Sequence, residues 1–318
     1  MVYLDRDKSD ANRYNGDILV IGGSAVIKLL AAIYLVWGFN WVVMKEANLF
    51  FPPVTFSCYR FIIGALVLLA VCFWLKLPIP PRRYWPWIAI TGFLQIAVNT
   101  AAIQIGMVTL GAGLVAVLNY SMPVWMALMA HFFLGEHLTR RKVIGIIVSM
   151  AGMCLLMNVD SGGDLSLVVL TLVGAAAWAA AGIIVKIQDR RMKANDCNLI
   201  QYTTWQMVIG ALALGLQAAV MENGTIQWTP LAVGCLLYNG VMASALAFFM
   251  WNYLLTQIEA AKAAIAILGV PVVGVISGVL VLDEPLTMMT LIGMVMILAG
   301  IVCIVRQGNP AGARADKI

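Results

Sequence analysis

Amides and aromatic rings stand at helical spacings inside stretches that otherwise carry few polar groups. Tyr34, Trp37 and Trp41 are spaced i, i+3, i+7 and share one stripe of a helix, with Asn40 about 60° from Trp37. Gln95 and Asn99 stand four apart, which puts both amides on one face. Asn119 and Tyr120 precede Pro123, Trp178 answers Trp37 in a second half of the chain, and a later stretch offers Tyr238 with Asn252 on one face and Ser244 with Trp251 on another. Such groups recognise a solute rather than break its bonds, because amides donate and accept hydrogen bonds while indole faces take apolar or cationic parts. The substrate-contacting set is therefore Trp37, Asn40, Trp41, Gln95, Asn99, Asn119, Tyr120, Trp178, Tyr238, Ser244 and Trp251. Taken singly, each also reads as hydrogen-bonding or packing glue between helices.

Bond-making chemistry finds little footing. The string His131, Glu136, His137 has the composition of a zinc-protease helix, but paired zinc histidines on a helix stand four apart, and a spacing of six turns these about 120° away from each other. There is no GxxxxGK[ST] phosphate loop, and Cys58, Cys72, Cys154, Cys197, Cys235 and Cys303 contain no CxxC and form no disulfide framework. No catalytic residue, metal or cofactor is expected, and a membrane-embedded enzyme is the remote alternative.

The elements that position these groups are set by solvent. Hydrophobic residues make up 62% of the chain and charged ones 11%, where a soluble domain carries about a quarter charged. Apolar runs predict an all-α integral membrane protein with ten spans, roughly 29–44, 54–75, 87–108, 112–134, 143–158, 166–185, 199–220, 230–253, 263–282 and 290–305, the fifth and tenth being short. Residues 1–28 form a mixed-charge arm without the pattern of a signal peptide, and 306–318 a tail. If both termini are cytoplasmic, every Lys and Arg except Lys45 and Arg60 lies on the inner side or in an inner arm, as the positive-inside rule requires. The net charge of +5 then reflects topology and calls for no nucleic-acid partner.

The chain is also duplicated. At a gapless offset of 148, Ala112, Ala116, Pro123, Val124, Leu134, Glu136, Leu138, Thr139, Ile144, Gly145, Ala151 and Gly152 each meet an identical residue, Pro123 pairing with Pro271 and Glu136 with Glu284. Two copies, 29–158 and 159–305, of five helices each must enter the bilayer from opposite sides, so the repeats are inverted, as alternating access requires. Pro123 and Pro271 fall near the middle of spans 4 and 9 and are expected to act as hinges. Each removes a backbone donor and crowds the carbonyl four residues back, that of Asn119 or Ile267.

The Trp37–Gly38 pair with Asn40 and Lys45 after it, Arg60 early in span 2, and the twice-repeated proline, LGE and LT motif resemble the EamA-type branch of the drug/metabolite transporter superfamily. The second copy departs from the motif at Asp283. The resemblance covers about 30–305. It implies a ten-helix inverted-repeat carrier of the bacterial cytoplasmic membrane that moves small metabolites such as amino acids, most often outward, through a cavity lined by helices 1, 3, 4, 6, 8 and 9. Small multidrug resistance proteins, distant members of the superfamily, use a membrane-buried carboxylate on helix 1. Span 1 has none between Lys28 and Lys45, which disfavours cationic drug antiport and favours neutral or zwitterionic solutes.

The remaining features read as structural. Thr139 and Thr287 cap the helices that follow, Glu136 and Glu284 sit solvated or paired at membrane boundaries, and Arg60 snorkels to the interface. Trp85, Trp87 and Trp228 read as belt anchors, His131 as a packed or interfacial side chain, and Gly274 with Gly278 as a GxxxG dimer contact. The partners expected are a small-molecule substrate and the lipid bilayer, with the chain a monomer or weak homodimer. An exporter of drugs or lipid-like amphiphiles is the main alternative.

Overall fold

The computed structural model describes residues 23–110, 112–156, 164–192, 197–282 and 286–305. Most of the N-terminal arm, the C-terminal tail, Lys193, Asp283 and Glu284 lie outside the described residues, and so does the expected cap or pairing of Glu284. Every regular element among the described residues is helical. In chain order these are α1 (Gly23–Ala47), α2 (Pro53–Trp74), a 3-10 turn (Arg82–Tyr84), α3 (Trp85–Gly92), a π-helical segment (Phe93–Val98), α4 (Asn99–Leu110), α5 (Ala112–Asn119), α6 (Met122–Leu134), α7 (Arg140–Leu156), α8 (Leu165–Met192) and α9 (Leu199–Met221). There follow α10 (Pro230–Leu237), a second π-helical segment (Tyr238–Leu246), α11 (Ala247–Gln257), α12 (Ala260–Ala266), α13 (Gly269–Leu282) and α14 (Met288–Val305).

Among the described residues, eight helices or end-to-end helix series are long and apolar enough to cross a bilayer, where the sequence predicts ten. They are α1, α2, α3 with α4, α5 with α6, α8, α9, α10 with α11, and α12 with α13. The difference falls on α7 and α14: α7 opens on Arg140, Arg141 and Lys142, which dilutes its apolar character, and the apolar stretch of α14 is short, Met288–Val302. These two helices pack on each other through repeat-matched glycines. A methyl group at Gly152 would lie 2.7 Å from the Gly293 carbonyl oxygen, and one at Gly300 would lie 2.7 Å from that of Gly145, so the contact is reciprocal and antiparallel. Ser149 donates to the Ile297 carbonyl at 3.4 Å beside it. Only glycine permits so close an approach of two backbones.

The expected caps form, Thr139 Oγ1 accepting from the Lys142 amide at 3.4 Å and Thr287 Oγ1 from the Thr290 amide at 3.2 Å. Gly274, read as half of a dimer motif, is used inside the chain instead: its face meets Trp41 and the Gly38 carbonyl of α1.

The prolines do not bend continuous helices. Span 4 is interrupted at Tyr120–Ser121 and span 9 at Ile267–Leu268, and each proline sits in the first turn of the helix that restarts, α6 or α13. Proline suits that place because its missing N–H would have had no helical partner there. The Ile267 carbonyl, expected to be left open, accepts from the Val270 amide at 2.9 Å. Tyr34 Oη donates to the Ala266 carbonyl at 2.5 Å just before that break, and the Trp41 ring lies 6.3 Å from that of Tyr120 at the other. Helix α1 therefore braces both interruptions.

Candidate functional site

The two helix breaks open on one cavity. It is walled by Trp37, Asn40, Trp41 and Met44 of α1, Arg60 of α2, Thr100, Ile103 and Gln104 of α4, Asn119, Tyr120 and Met122 at the first break, Trp178 of α8, Phe248 of α11 and Ile267 at the second break. About 780 Å³ of space between atoms lies within it, the open solvent at its mouth included. Helices from both copies contribute. The walls are mostly aromatic and apolar, with a few polar atoms converging from α1, α2, α4 and the first break.

Six of the residues singled out from sequence, Trp37, Asn40, Trp41, Asn119, Tyr120 and Trp178, line this space. Trp37 is fixed by donating Nε1 to the Ala243 carbonyl at 2.9 Å, within the second π segment. Asn99 lies one layer back and donates to Asn119 Oδ1 at 2.7 Å. Trp251 is fully buried behind Trp178, ring centroids 4.6 Å apart.

Gln95, Tyr238 and Ser244 do not line it. Gln95 is sealed against α9, accepting from Gln206 Nε2 at 2.6 Å, while Gln206 Oε1 accepts from Asn252 at 3.1 Å and Thr203 Oγ1 from the same Asn252 amide at 3.0 Å. Tyr238 donates to the Val36 carbonyl at 2.9 Å, and Ser244 is buried. The reason is local. The Phe93–Val98 and Tyr238–Leu246 segments are π-helical, with more than 3.6 residues per turn, so a face counted across them in steps of four is rotated. Gln95 and Asn99 consequently point to different neighbours.

Met44, Arg60, Thr100, Ile103, Gln104, Met122, Phe248 and Ile267 were not foreseen as lining. Arg60 does not snorkel: its Nη1 donates to Asn239 Oδ1 at 3.2 Å, a side chain wholly buried in the second π segment. A cation inside a span was the signal that marked it. His131 is exposed, with Nδ1 3.1 Å from the Glu136 carbonyl, and takes no part in the cavity.

Below the cavity the bundle is closed around Glu136. Gly135 ends α6 in the left-handed region, φ 69°, which turns Glu136 back toward the bundle. Glu136 Oε1 accepts from Lys186 Nζ at 3.1 Å and from the Ala260 amide at 2.8 Å, and Oε2 from the Ala261 amide at 3.2 Å. Both charged side chains are nearly sealed, 8% and 9% exposed, so of the two expectations, solvated or paired, Glu136 meets the second. Lys186 also donates to the Ile258 carbonyl. Alongside, Glu259 lies 2.6 Å from Lys142 and 3.3 Å from Lys262. Burial alone would raise the Glu259 pKa, but the Lys142 and Lys262 ammonium groups outweigh it and hold the carboxyl below its usual value.

A sequence profile of the EamA-like transporter family matches residues 24–158 and again 165–306. The chain belongs to the EamA-like transporter family. The two matches show that this EamA-like chain is two copies of one unit. It is 30% identical to the uncharacterized transporter YvbV of Bacillus subtilis (strain 168), over 89% of this chain and 92% of that protein. A probable amino-acid metabolite efflux pump of Salmonella typhimurium is 29% identical, covering 86% of this chain and 92% of its own length. One solved crystal structure superposes with a TM-score of 0.74 at 15% identity, over 88% of this chain and 96% of that one, which bears on the fold alone.

Proposed function

We propose that this EamA-like protein is a secondary transporter that exports amino acids or related neutral and zwitterionic solutes by alternating access. The observation that carries the reading is that the two interrupted helices, one from each copy, meet at a single cavity sealed at its Glu136 end. Interrupted helices leave backbone irregular only where it lines a protein-enclosed site, which is how repeat-built carriers hold a solute near the midplane. The relatives named as probable amino-acid metabolite efflux pumps support the direction and solute class.

The full arrangement is ten spans in two inverted copies, 29–158 and 159–305, with α7 and α14 as spans 5 and 10 and short arms before and after. The reciprocal, antiparallel packing of α7 on α14 supports a twofold axis in the membrane plane. The Glu136 end carries Lys76, Arg82, Arg83, Arg140, Arg141, Lys142, Arg190, Arg191 and Lys262, so it faces the cytoplasm, as do both termini. The cavity then lies toward the outer half and this state is outward-open, in the cytoplasmic membrane, with the chain a monomer or weak homodimer. Trp37, Asn40, Trp41, Asn119, Tyr120 and Trp178 contact the solute, with Asn99 and Trp251 holding them in place. Pro123 and Pro271 mark the hinges.

Purified protein in proteoliposomes preloaded with one amino acid should accumulate the same labelled amino acid by counterflow, tested across the proteinogenic set. Counterflow of amphipathic dyes with none of the amino acids would replace this reading by that of a drug or lipid exporter. Impermeant maleimide should reach a cysteine placed at Asn223 from outside and one at Arg190 only from inside.

A further inference from the structure

We propose that Arg60 is the carboxylate anchor of the cavity, restricting its cargo to solutes that carry an anionic headgroup; the inference rests on the transport reading above. Arg60 lies seven residues into α2, about 10 Å along the helix axis. No carboxylate pairs with it among the described residues. Its Nη1 is engaged by Asn239 Oδ1 at 3.2 Å, with Met44 Sδ at 3.8 Å. Among the described residues Nε is buried without a hydrogen-bond partner, and Nη2 makes no hydrogen bond either. The Nε–Nη2 edge is one of the two forks by which a guanidinium holds a carboxylate through parallel hydrogen bonds. An internal cation with its fork unmatched is stabilised by an anion and disfavours a solute of net positive charge.

Two further unpartnered atoms belong to residues that line the same cavity. Asn40 Oδ1 and Gln104 Oε1 are both buried carbonyl oxygens without a donor. The orientation of Gln104 is set, since its Nε2 donates to the Pro53 carbonyl at 2.8 Å and to Ser57 Oγ at 2.9 Å. These oxygens accept from N–H groups, which matches the ammonium of an amino acid. Trp37 and Trp41 line the same space and give its side chain aromatic surface to pack on. Fork, acceptors and rings together describe a zwitterion with an apolar or aromatic side chain, and the carboxylate is the part Arg60 makes obligatory.

Titration of the full-length protein with phenylalanine, phenylalanine amide and phenylalanine methyl ester, followed by tryptophan fluorescence, tests this. The free acid should bind about ten- to a hundredfold tighter than either derivative, the worth of a charge-assisted fork. Arg60→Gln should abolish that preference, and Arg60→Lys, which keeps the charge and loses the fork, should retain part of it. Equal affinity of acid and amide in the unaltered protein, which needs no variant to fold, overturns the proposal. So does an undiminished acid preference in Arg60→Gln, or no binding by phenylalanine, leucine and phenylacetate alike. Arg60-dependent binding without flux in proteoliposomes would leave the anchor standing and remove the transport reading, whereas flux indifferent to the carboxylate would do the reverse.

Discussion

Replacing Glu136 by glutamine keeps the shape of the side chain and removes the charge that draws three donors together. The amide offers one carbonyl oxygen where the carboxylate offered two, so either the Ala260 or the Ala261 amide loses its acceptor, and Lys186 loses its counter-charge. Breaking a buried pair by removing one partner costs about 3–5 kcal/mol. Lys186 keeps the Ile258 carbonyl, which reduces the figure to roughly 2–3 kcal/mol, or about 30- to 150-fold in an equilibrium constant. The three contacts tie the end of α6 to α8 and α12, so the cost falls on the state closed at this end, and a population split of about 99:1 would move close to even. The readout is maleimide labelling, in a variant stripped of native cysteines, of a cysteine at Ala264, which is fully buried on α12 between the Glu136 contact and the break at Ile267. Glu136→Gln should raise its labelling from the Glu136 end by at least tenfold while leaving unchanged a cysteine at buried Ala211 on α9. A loss of thermal stability with unaltered labelling at Ala264, or equal increases at both positions, would show that Glu136 is a staple of the fold and not a latch.

Three other outcomes are expected. Gln206→Leu strands the buried Gln95 carbonyl and takes one acceptor from Asn252, so the melting temperature in detergent should fall by an amount matching about 1–3 kcal/mol while the KM for transport stays put; a changed KM with unchanged stability would place Gln95 at the solute after all. Pro123→Ala and Pro271→Ala each restore a backbone donor at a break and should bias accessibility toward opposite ends of the bundle, so identical shifts would refute the paired-hinge account. The Glu259 carboxyl is held below its usual 4.5 in the folded protein, so its contribution is complete at neutral pH and is lost as pH falls below about 4.5 through the folded value; Glu259→Gln should flatten that acid limb in a thermal-stability series, and an unchanged slope would mean that the Lys142 contact is fully screened.

The duplication was legible because its identities fall on motif residues at one offset, and the stripe of Trp37, Asn40 and Trp41 was legible because α1 is a regular helix throughout that stretch. Gln95 and Ser244 were misplaced for the opposite reason: a π turn leaves no mark on composition or periodicity over so short a window, yet it redirects every side chain beyond it. Arg60 was read as an interfacial cation from its nearness to a helix end, since no single-chain pattern shows that Asn239, far along the sequence, waits inside the bundle for it. The prolines marked the right places with the wrong geometry, because a proline within an apolar run reads the same whether it bends a helix or begins one.

The π segments are themselves part of the repeat. Each begins eight residues into the third helix series of its copy, Phe93 after the start at Trp85 and Tyr238 after the start at Pro230. A helix that receives one inserted residue while its ends stay anchored stores it as a wide turn. The two segments end 148 residues apart, at Val98 and Leu246, the offset that relates the two copies, so the wide turn belongs to the unit that is repeated. Helix α9, the partner of α2 in the other copy, has no basic residue. Because α9 also contributes no side chain to the cavity, Arg60 makes the two copies unequal there, and an inverted pair that matches in backbone differs in the charge it offers the solute.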